Sequence, residues 1–228
     1  MLATVCLKNN FLGLIILLVM VIGCNQKKEN LPEKVDRLPY YNTPDFTASF
    51  LTDEDAVNKQ ITHQIADFSF TNQNGEAVTQ KNIEGKIHVA DFIFTSCGSI
   101  CPTMTINMEK VNKVFKKDEG VALLSYSVTP WIDDVKRLKA YADKNNIDAK
   151  KWNLLTGSKA AIYELARKSY FAEEDLGYSK DSTDFLHTEH FILVDENKRI
   201  RGIYNGTLDL EIEQLIKDIT LLKKEGNK

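Results

Sequence analysis

The sequence predicts an α/β fold in which a central sheet carries helices on both faces. Three observations support this. Two near-continuous apolar runs, residues 87–94 and 121–128, read as strands covered on both sides. After each run the apolar residues recur at helical spacing. Two further apolar runs, 190–195 and 199–204, pair as a hairpin across Glu196-Asn197-Lys198. The chain has 228 residues, enough for one mid-sized domain with appendages.

The first segment, 1–23, reads as a signal peptide. Lys8 precedes an apolar stretch from Phe11 to Ile22, about a dozen residues, whereas a spanning helix needs roughly 20. Val21-Ile22-Gly23-Cys24 resembles a bacterial lipobox, which makes Cys24 the expected lipidation site. Lipidation would hold the protein on a membrane surface through acyl chains, in the envelope of a bacterium and outside the cytoplasm. The bland alternative is a plain N-terminal anchor with an incidental cysteine.

Residues 24–60 read as a tether and N-terminal extension, lysine-rich and carrying Pro32, Pro39 and Pro44. The aromatic stretch 38–46 suits packing onto the folded domain, expected over 61–228. Within it, Ile65-Ala66-Asp67-Phe68-Ser69-Phe70 followed by Asn72-Gln73-Asn74-Gly75 predicts an N-terminal hairpin. Met104, Met108, Val111 and Phe115 mark one helix, opened by Pro102 in its first turn. Ile132, Val135, Leu138, Tyr141 and Ala142 mark the next. Asn153-Leu154-Leu155-Thr156 is a short strand, and Ser158 caps a helix carrying Ile162, Leu165 and Ala166. Residues 171–184 form an inserted loop before the last hairpin, and Leu208 to Leu222 a final amphipathic helix. This is the element order of a thioredoxin-like core with a hairpin added.

A net charge of -3 without a basic cluster argues against a nucleic-acid partner. Of four cysteines, Cys6 leaves with the signal and Cys24 is consumed by lipid. Cys97 and Cys101 remain, in a compartment where disulfides form. A helix N-terminus favours thiolate, and Cys101 directly precedes Pro102. Two thiols four positions apart can close a disulfide or bind one soft metal ion such as Cu(I), with imidazole as a further donor. His187 and His190 both fall where such a fold brings a loop beside the cysteine turn. His63 reads as a surface residue. Met104 and Met108 read as core rather than as ligands.

The chain from about Ile65 onward resembles the SCO/SenC family. The resemblance rests on Phe92-Ile93-Phe94-Thr95 with Cys97-x-x-x-Cys101-Pro102, on Ser127-Val128-Thr129-Pro130, on Trp152-Asn153-Leu154-Leu155-Thr156-Gly157, and on Phe185-Leu186-His187-Thr188 before Phe191-Ile192-Leu193-Val194-Asp195. It implies a thioredoxin fold holding a copper ion through Cys97, Cys101 and His187 rather than His190. It also implies a role in maturing the copper site of cytochrome c oxidase subunit II. The family often carries Pro-Asp between the cysteines and an acid after Ser-Val. Here Gly98-Ser99 and Thr129 stand in those places, leaving the turn less negative.

A thiol-disulfide oxidoreductase is the competing expectation, with Cys97 and Cys101 as the redox pair. Asp91, six residues before Cys97, is its candidate proton relay. Against it, such enzymes resemble one another in a cis-proline before the hairpin strand. The five prolines here, at 32, 39, 44, 102 and 130, leave none near His187. A purely structural lipoprotein domain would account for the fold but not for two thiols at a helix start.

Overall fold

A computed structural model describes residues 37–172 and 188–226. Cys6, Cys24, the expected signal segment, most of the expected loop and His187 lie outside the described residues. The strands are β1 (Tyr40–Tyr41), β2 (Ala48–Ser49), β3 (Ser69–Asn72), β4 (Ala77–Thr79), β5 (Ile87–Ile93), β6 (Val121–Ser127), β7 (Trp152–Thr156), β8 (His190–Val194) and β9 (Ile200–Asn205). The helices are α1 (Glu54–Gln60), α2 (Gln80–Ile83), α3 (Cys101–Phe115), α4 (Val135–Asn145), α5 (Lys159–Glu164) and α6 (Asp209–Gly226).

Among the described residues nine strands form one mixed sheet in the order β2-β1-β9-β8-β5-β6-β7-β3-β4. β5, β6 and β7 run parallel at its centre, while β8 and β9 add the predicted antiparallel hairpin. β3 and β4 are the early hairpin, turning at Gly75, whose φ of +80° suits a residue without Cβ.

Every residue of β5 and β6 is buried, as their continuous apolar runs predict. Strand alternation sorts β5 into two faces. Ile87, Val89 and Ile93 pack under α3, α4 and α6 with Met104, Met108, Leu138 and Leu215, and Asp91 shares their side. Ala90 and Phe92 face the α5 side with Ile162, Ala166 and Tyr170, and His88 shares that side. Each fully buried apolar side chain here contributes roughly 1.5–3 kcal/mol. Met104 and Met108 are completely buried and belong to this core.

Two boundaries differ from the sequence expectation. α4 starts at Val135 rather than near Ile132, because the Asp134 carboxylate accepts from the Arg137 amide at 2.8 Å and caps the helix there. Ile132 is therefore left outside, 43% exposed. After α5 the chain continues as a π-helical turn, Leu165–Ser169, whose wider winding brings Tyr170 under the sheet to meet His88.

Residues 37–60 lie along one sheet edge, with Tyr41 paired to Ile200. Arg201 on β9 secures them. Its buried guanidinium donates to the Leu38 and Pro39 carbonyls and to the carboxylates of Asp195 and Glu225. The Tyr40 ring covers it at 4.0 Å.

Candidate metal centre

β5 ends at Ile93 and the chain turns at once, the Cys97 amide donating to the Phe94 carbonyl at 3.2 Å. α3 opens on Cys101, with Pro102 in its first turn where no amide hydrogen is needed. The turn thus places both sulfurs at the N-terminal end of α3, at the carboxyl edge of the central strand. Both cysteines are free thiols; Cys97 is half-buried and Cys101 is buried.

Their environments push them apart. Partial burial raises the Cys97 thiol, but the amides of Cys101, Ser99 and Ile100 and the neighbouring Cys101 thiol outweigh it, so its pKa is lowered overall. Burial pushes Cys101 up to about 12, helped by the hydrogen bond to Cys97 and by the charges of Cys97 and Asp91. The pair therefore holds one accessible, readily ionised sulfur and one deep, reluctant sulfur in mutual contact.

Asp91 lies beneath them on β5. Burial raises its carboxyl to about 7, against the opposing hydrogen bond from Ser125. The Ser125 hydroxyl donates to Oδ1 at 2.5 Å and itself accepts from the Trp152 indole at 2.7 Å. Oδ2 is buried without a partner, an arrangement that fits a protonated carboxyl better than a carboxylate. Burial first, then the charges of Asp91, Cys101 and Cys97, raise the Tyr141 hydroxyl, which bonds Thr105 on the first turn of α3 at 2.7 Å. Asp91, both cysteines and Tyr141 thus form one electrostatically linked group.

Two residues that the sequence reading passed over hold the turn from outside. Asp133 is completely buried and accepts from the Thr95 amide (3.2 Å) and the hydroxyls of Thr95 (2.5 Å), Ser127 (2.7 Å) and Thr129 (3.0 Å). Arg137 pairs with it at 3.4 Å and donates to the hydroxyls of Thr95 and Ser96, each at 2.7 Å. Thr95 and Ser96 lead directly into Cys97, so this network anchors one side of the turn. It also shows what Thr129 does here. A hydroxyl donates to the Asp133 carboxylate, which an ionised acid at 129 could not do. Nothing steric demands glycine at 98, since a Cβ there meets nothing within 4 Å.

Among the described residues no three histidine, cysteine or acidic side chains cluster as a metal site. Two soft sulfur donors are together, and the expected third ligand, His187, lies outside the described residues. His190, the alternative histidine, begins β8, packs against the Phe46 ring, and keeps a buried Nδ1 without a partner. His63 is not the free surface residue expected. It is half-buried, stacks on Phe171 at 4.2 Å, and its Nε2 lies 2.8 Å from the Ser169 carbonyl oxygen. A cleft of about 900 Å³ opens at the far end of the parallel strands, lined by Lys86, Lys116, Asp118 and Lys151 among others, with neither cysteine in it. The described residues contain no helix long and apolar enough to cross a membrane.

Comparison with known proteins identifies the family and supports the fold. The SCO1/SenC family model matches residues 56–223. A SCO1/SenC family lipoprotein from Bacillus anthracis is 34% identical, with a TM-score of 0.62 over 72% of this chain and 96% of that one. BsSco, described as a cytochrome c oxidase assembly protein with a disulfide switch, is 31% identical, with a TM-score of 0.60 over 71% of this chain and 94% of that one. Copper-bound ScoI of Bradyrhizobium japonicum is 27% identical, with a TM-score of 0.55 over 71% of this chain and 99% of that one.

Proposed function

This chain belongs to the SCO1/SenC family, and from that premise we propose that it is a copper-binding protein acting in the assembly of cytochrome c oxidase. The carrying observation is the Cys97–Cys101 pair, two free thiols in contact at the start of α3. Its donor chemistry suits Cu(I), which soft thiolates select, with an imidazole completing the set. Copper is the cargo; Cys97, Cys101 and His187 are its ligands, and subunit II of the oxidase is the recipient. The copper-bound relative from Bradyrhizobium japonicum and the assembly role of BsSco support the reading.

The chain's own residues prepare the site. The lowered, half-exposed Cys97 thiol offers the first ligand to an incoming ion. Cys101 must lose its proton on binding, and the unpaired Oδ2 of Asp91 lies in the same electrostatic group. Lipidation at Cys24 would keep the domain at a membrane surface in the bacterial envelope, as the lipoprotein relative from Bacillus anthracis supports. The extents 1–23, 24–60 and 61–228 are proposed as signal, tether with extension, and working domain.

The test is Cu(I) titration of the reduced protein against a chromophoric chelator. One equivalent should bind, and Cys97→Ser, Cys101→Ser and His187→Ala should each weaken it sharply, while His190→Ala changes little. Retained affinity in the cysteine variants would overturn the proposal. Radiolabelled palmitate incorporation that persists in Cys24→Ser would overturn the anchor.

A second reading is favoured by the split between the two thiols. In it Cys97 thiolate attacks a partner's disulfide, giving a mixed disulfide and releasing one partner thiolate. Cys101 then gives its proton to the ionised form of the Asp91 carboxyl and attacks the Cys97 sulfur, expelling the second partner thiolate. The partner's two thiolates take up protons from water, and Cys97–Cys101 remains as the disulfide. Deleting the gene separates the two readings. Rescue of oxidase activity by added copper supports delivery, whereas rescue by an added thiol reductant supports exchange.

A further inference from the structure

Seven large apolar side chains stand exposed among the described residues, and five of them gather around one end of the sheet. Trp131 and Ile132 lie in the loop after β6 that holds the cysteine turn, since the next residue, Asp133, accepts from Thr95. Leu208 and Leu210 stand where α6 begins. β9 delivers them there: its last residue, Asn205, pairs with His190, which opens β8 beside the carboxyl end of β5. Ile106 lies on the first half of α3, whose Asn107 donates to the Gly206 carbonyl at 2.8 Å. The Cys97 turn therefore has apolar surface on both flanks, with Trp131 58% and Leu210 80% exposed. The other two stand apart, Phe50 after the edge strand β2 and Val114 in the last turn of α3.

Single exposed apolar residues need no explanation, but a cluster around a reactive group does. The bordering charges do not make it a surface of one sign. Lys110 pairs with Asp209 at 2.8 Å, Arg137 with Asp133 at 3.4 Å, and Lys159 lies over the Trp131 ring at 5.0 Å. Neither Gly98-Ser99 nor Thr129 adds an acid.

Two placements select the occupant. Whatever exchanges a ligand with the Cys97 sulfur must touch it, and so must cover the flanks of its turn. The chain, by contrast, enters the domain at the other end. Arg37 lines a small cleft with Ile87, Asn197 and Gly226, where β5 starts and α6 stops. From Cys24 to Arg37 the tether reaches at most about 45 Å, and a domain of this size is about 40 Å across. Laying the cysteine edge on an anchoring membrane would need that tether drawn out along the whole domain. A relaxed tether leaves the edge to another protein.

We propose that Trp131, Ile132, Ile106, Leu208 and Leu210 form the docking surface for a protein that presents apolar side chains around its own copper-ligating sulfurs. This rests on the reading of the chain as a copper donor to subunit II of the oxidase, which is then that protein. Binding comes from desolvated aromatic and aliphatic anchors rather than from charge, so the association depends only weakly on salt.

The experiment uses cells carrying the full-length chain. Trp131, Ile132, Leu208 and Leu210 are replaced one at a time by a photoreactive phenylalanine analogue, with Phe50 and Val114 as controls. Irradiation should join the four edge positions to subunit II at least about tenfold more than the two controls. With Trp131→Gln and Leu210→Gln introduced together, the crosslink from position 132 should fall about thirtyfold, as loss of a central aromatic anchor does. Chelator competition on that double variant should give unchanged Cu(I) affinity, which separates docking from metal binding and verifies the fold. Crosslinks only to a second copy of this chain, to lipid, or to a protein without copper-ligating sulfurs overturn the proposal. Equal yields from edge and control positions, or a matching loss of Cu(I) affinity, do the same. If the wild-type protein binds no Cu(I), the copper reading falls, and the crosslinks to subunit II still decide the docking surface.

Discussion

His88 and Asp91 stand three positions apart on β5, on opposite faces of the sheet, and burial displaces their titrations in opposite directions. Burial lowers His88 to about 3 and raises Asp91 to about 7. His88 touches the Tyr170 hydroxyl at 3.0 Å, and Asp91 accepts from Ser125. Between about pH 4 and 6.5 the unfolded chain holds a proton on the histidine that the folded chain lacks. Over the same range the folded chain holds a proton on the aspartate that the unfolded chain lacks.

Those two differences have opposite signs. Stability rises with pH where the unfolded state binds more protons, so His88 contributes a rising slope and Asp91 a falling one. Each slope approaches about 1.4 kcal/mol per pH unit, and they offset each other in the apo protein. Urea unfolding at pH 4.5, 5.5 and 6.5 should show this. Relative to wild type, Asp91→Asn should gain stability with rising pH, and His88→Phe should lose it. Parallel curves for all three proteins would contradict the two buried titrations.

The cysteines should differ in reactivity. Cys97 is half-exposed with a lowered pKa, while Cys101 is buried and pushed up to about 12. Iodoacetamide at neutral pH should therefore label Cys97 first, because thiolate is the nucleophile. Peptide mass mapping after brief exposure checks it, and preferential labelling of Cys101 would reverse the assignment of the entry sulfur.

Removing Asp133 should destabilise the protein more than removing Arg137. Asp133→Ala leaves the Thr95 amide and the hydroxyls of Ser127 and Thr129 without their acceptor, at a cost of about 3 kcal/mol. Arg137 has a side chain 46% exposed, so its pairing is screened and Arg137→Met should cost about 1 kcal/mol. Urea midpoints measure both, and equal losses would show that the guanidinium matters more than its exposure implies.

Arg201→Met should cost about 3–5 kcal/mol, since it leaves Asp195 and Glu225 as buried acids without their cation. Burial already raises Asp195 despite the nearby arginines. The loss should shrink at acid pH, where both acids can take protons. Thermal unfolding at pH 7 and pH 4.5 tests this, and a pH-independent loss would point to packing rather than charge.

Local patterns made much of the fold legible. The near-continuous apolar runs of β5 and β6 read as strands covered on both faces, and the spacing of Met104, Met108 and Val111 as a core-facing helix. The cysteine turn was equally readable, because thiol, proline and helix start are neighbours in the chain. Family membership, too, follows from motifs spread along the sequence. What stayed hidden depends on contacts between distant residues. Asp133 meets Thr95 across 38 positions, and Phe46 meets Phe171 and His190 across more than a hundred. Neither aspartate nor phenylalanine carries a local mark of such a partner. The start of α4 shifted for a smaller reason, a cap at Asp134 that competed with an apolar period including Ile132.

By itself the order of residues along the chain settles that a dithiol sits at the mouth of a helix on an α/β sheet, since periodicity and covalent neighbours act over a few residues. It does not settle which sulfur is ready to react. Cys97 and Cys101 share one turn, yet one is eased toward thiolate by amides and the other held neutral by depth. That difference is one of solvation and hydrogen bonding, and both arise only when α3 closes over Asp91 and the central strand.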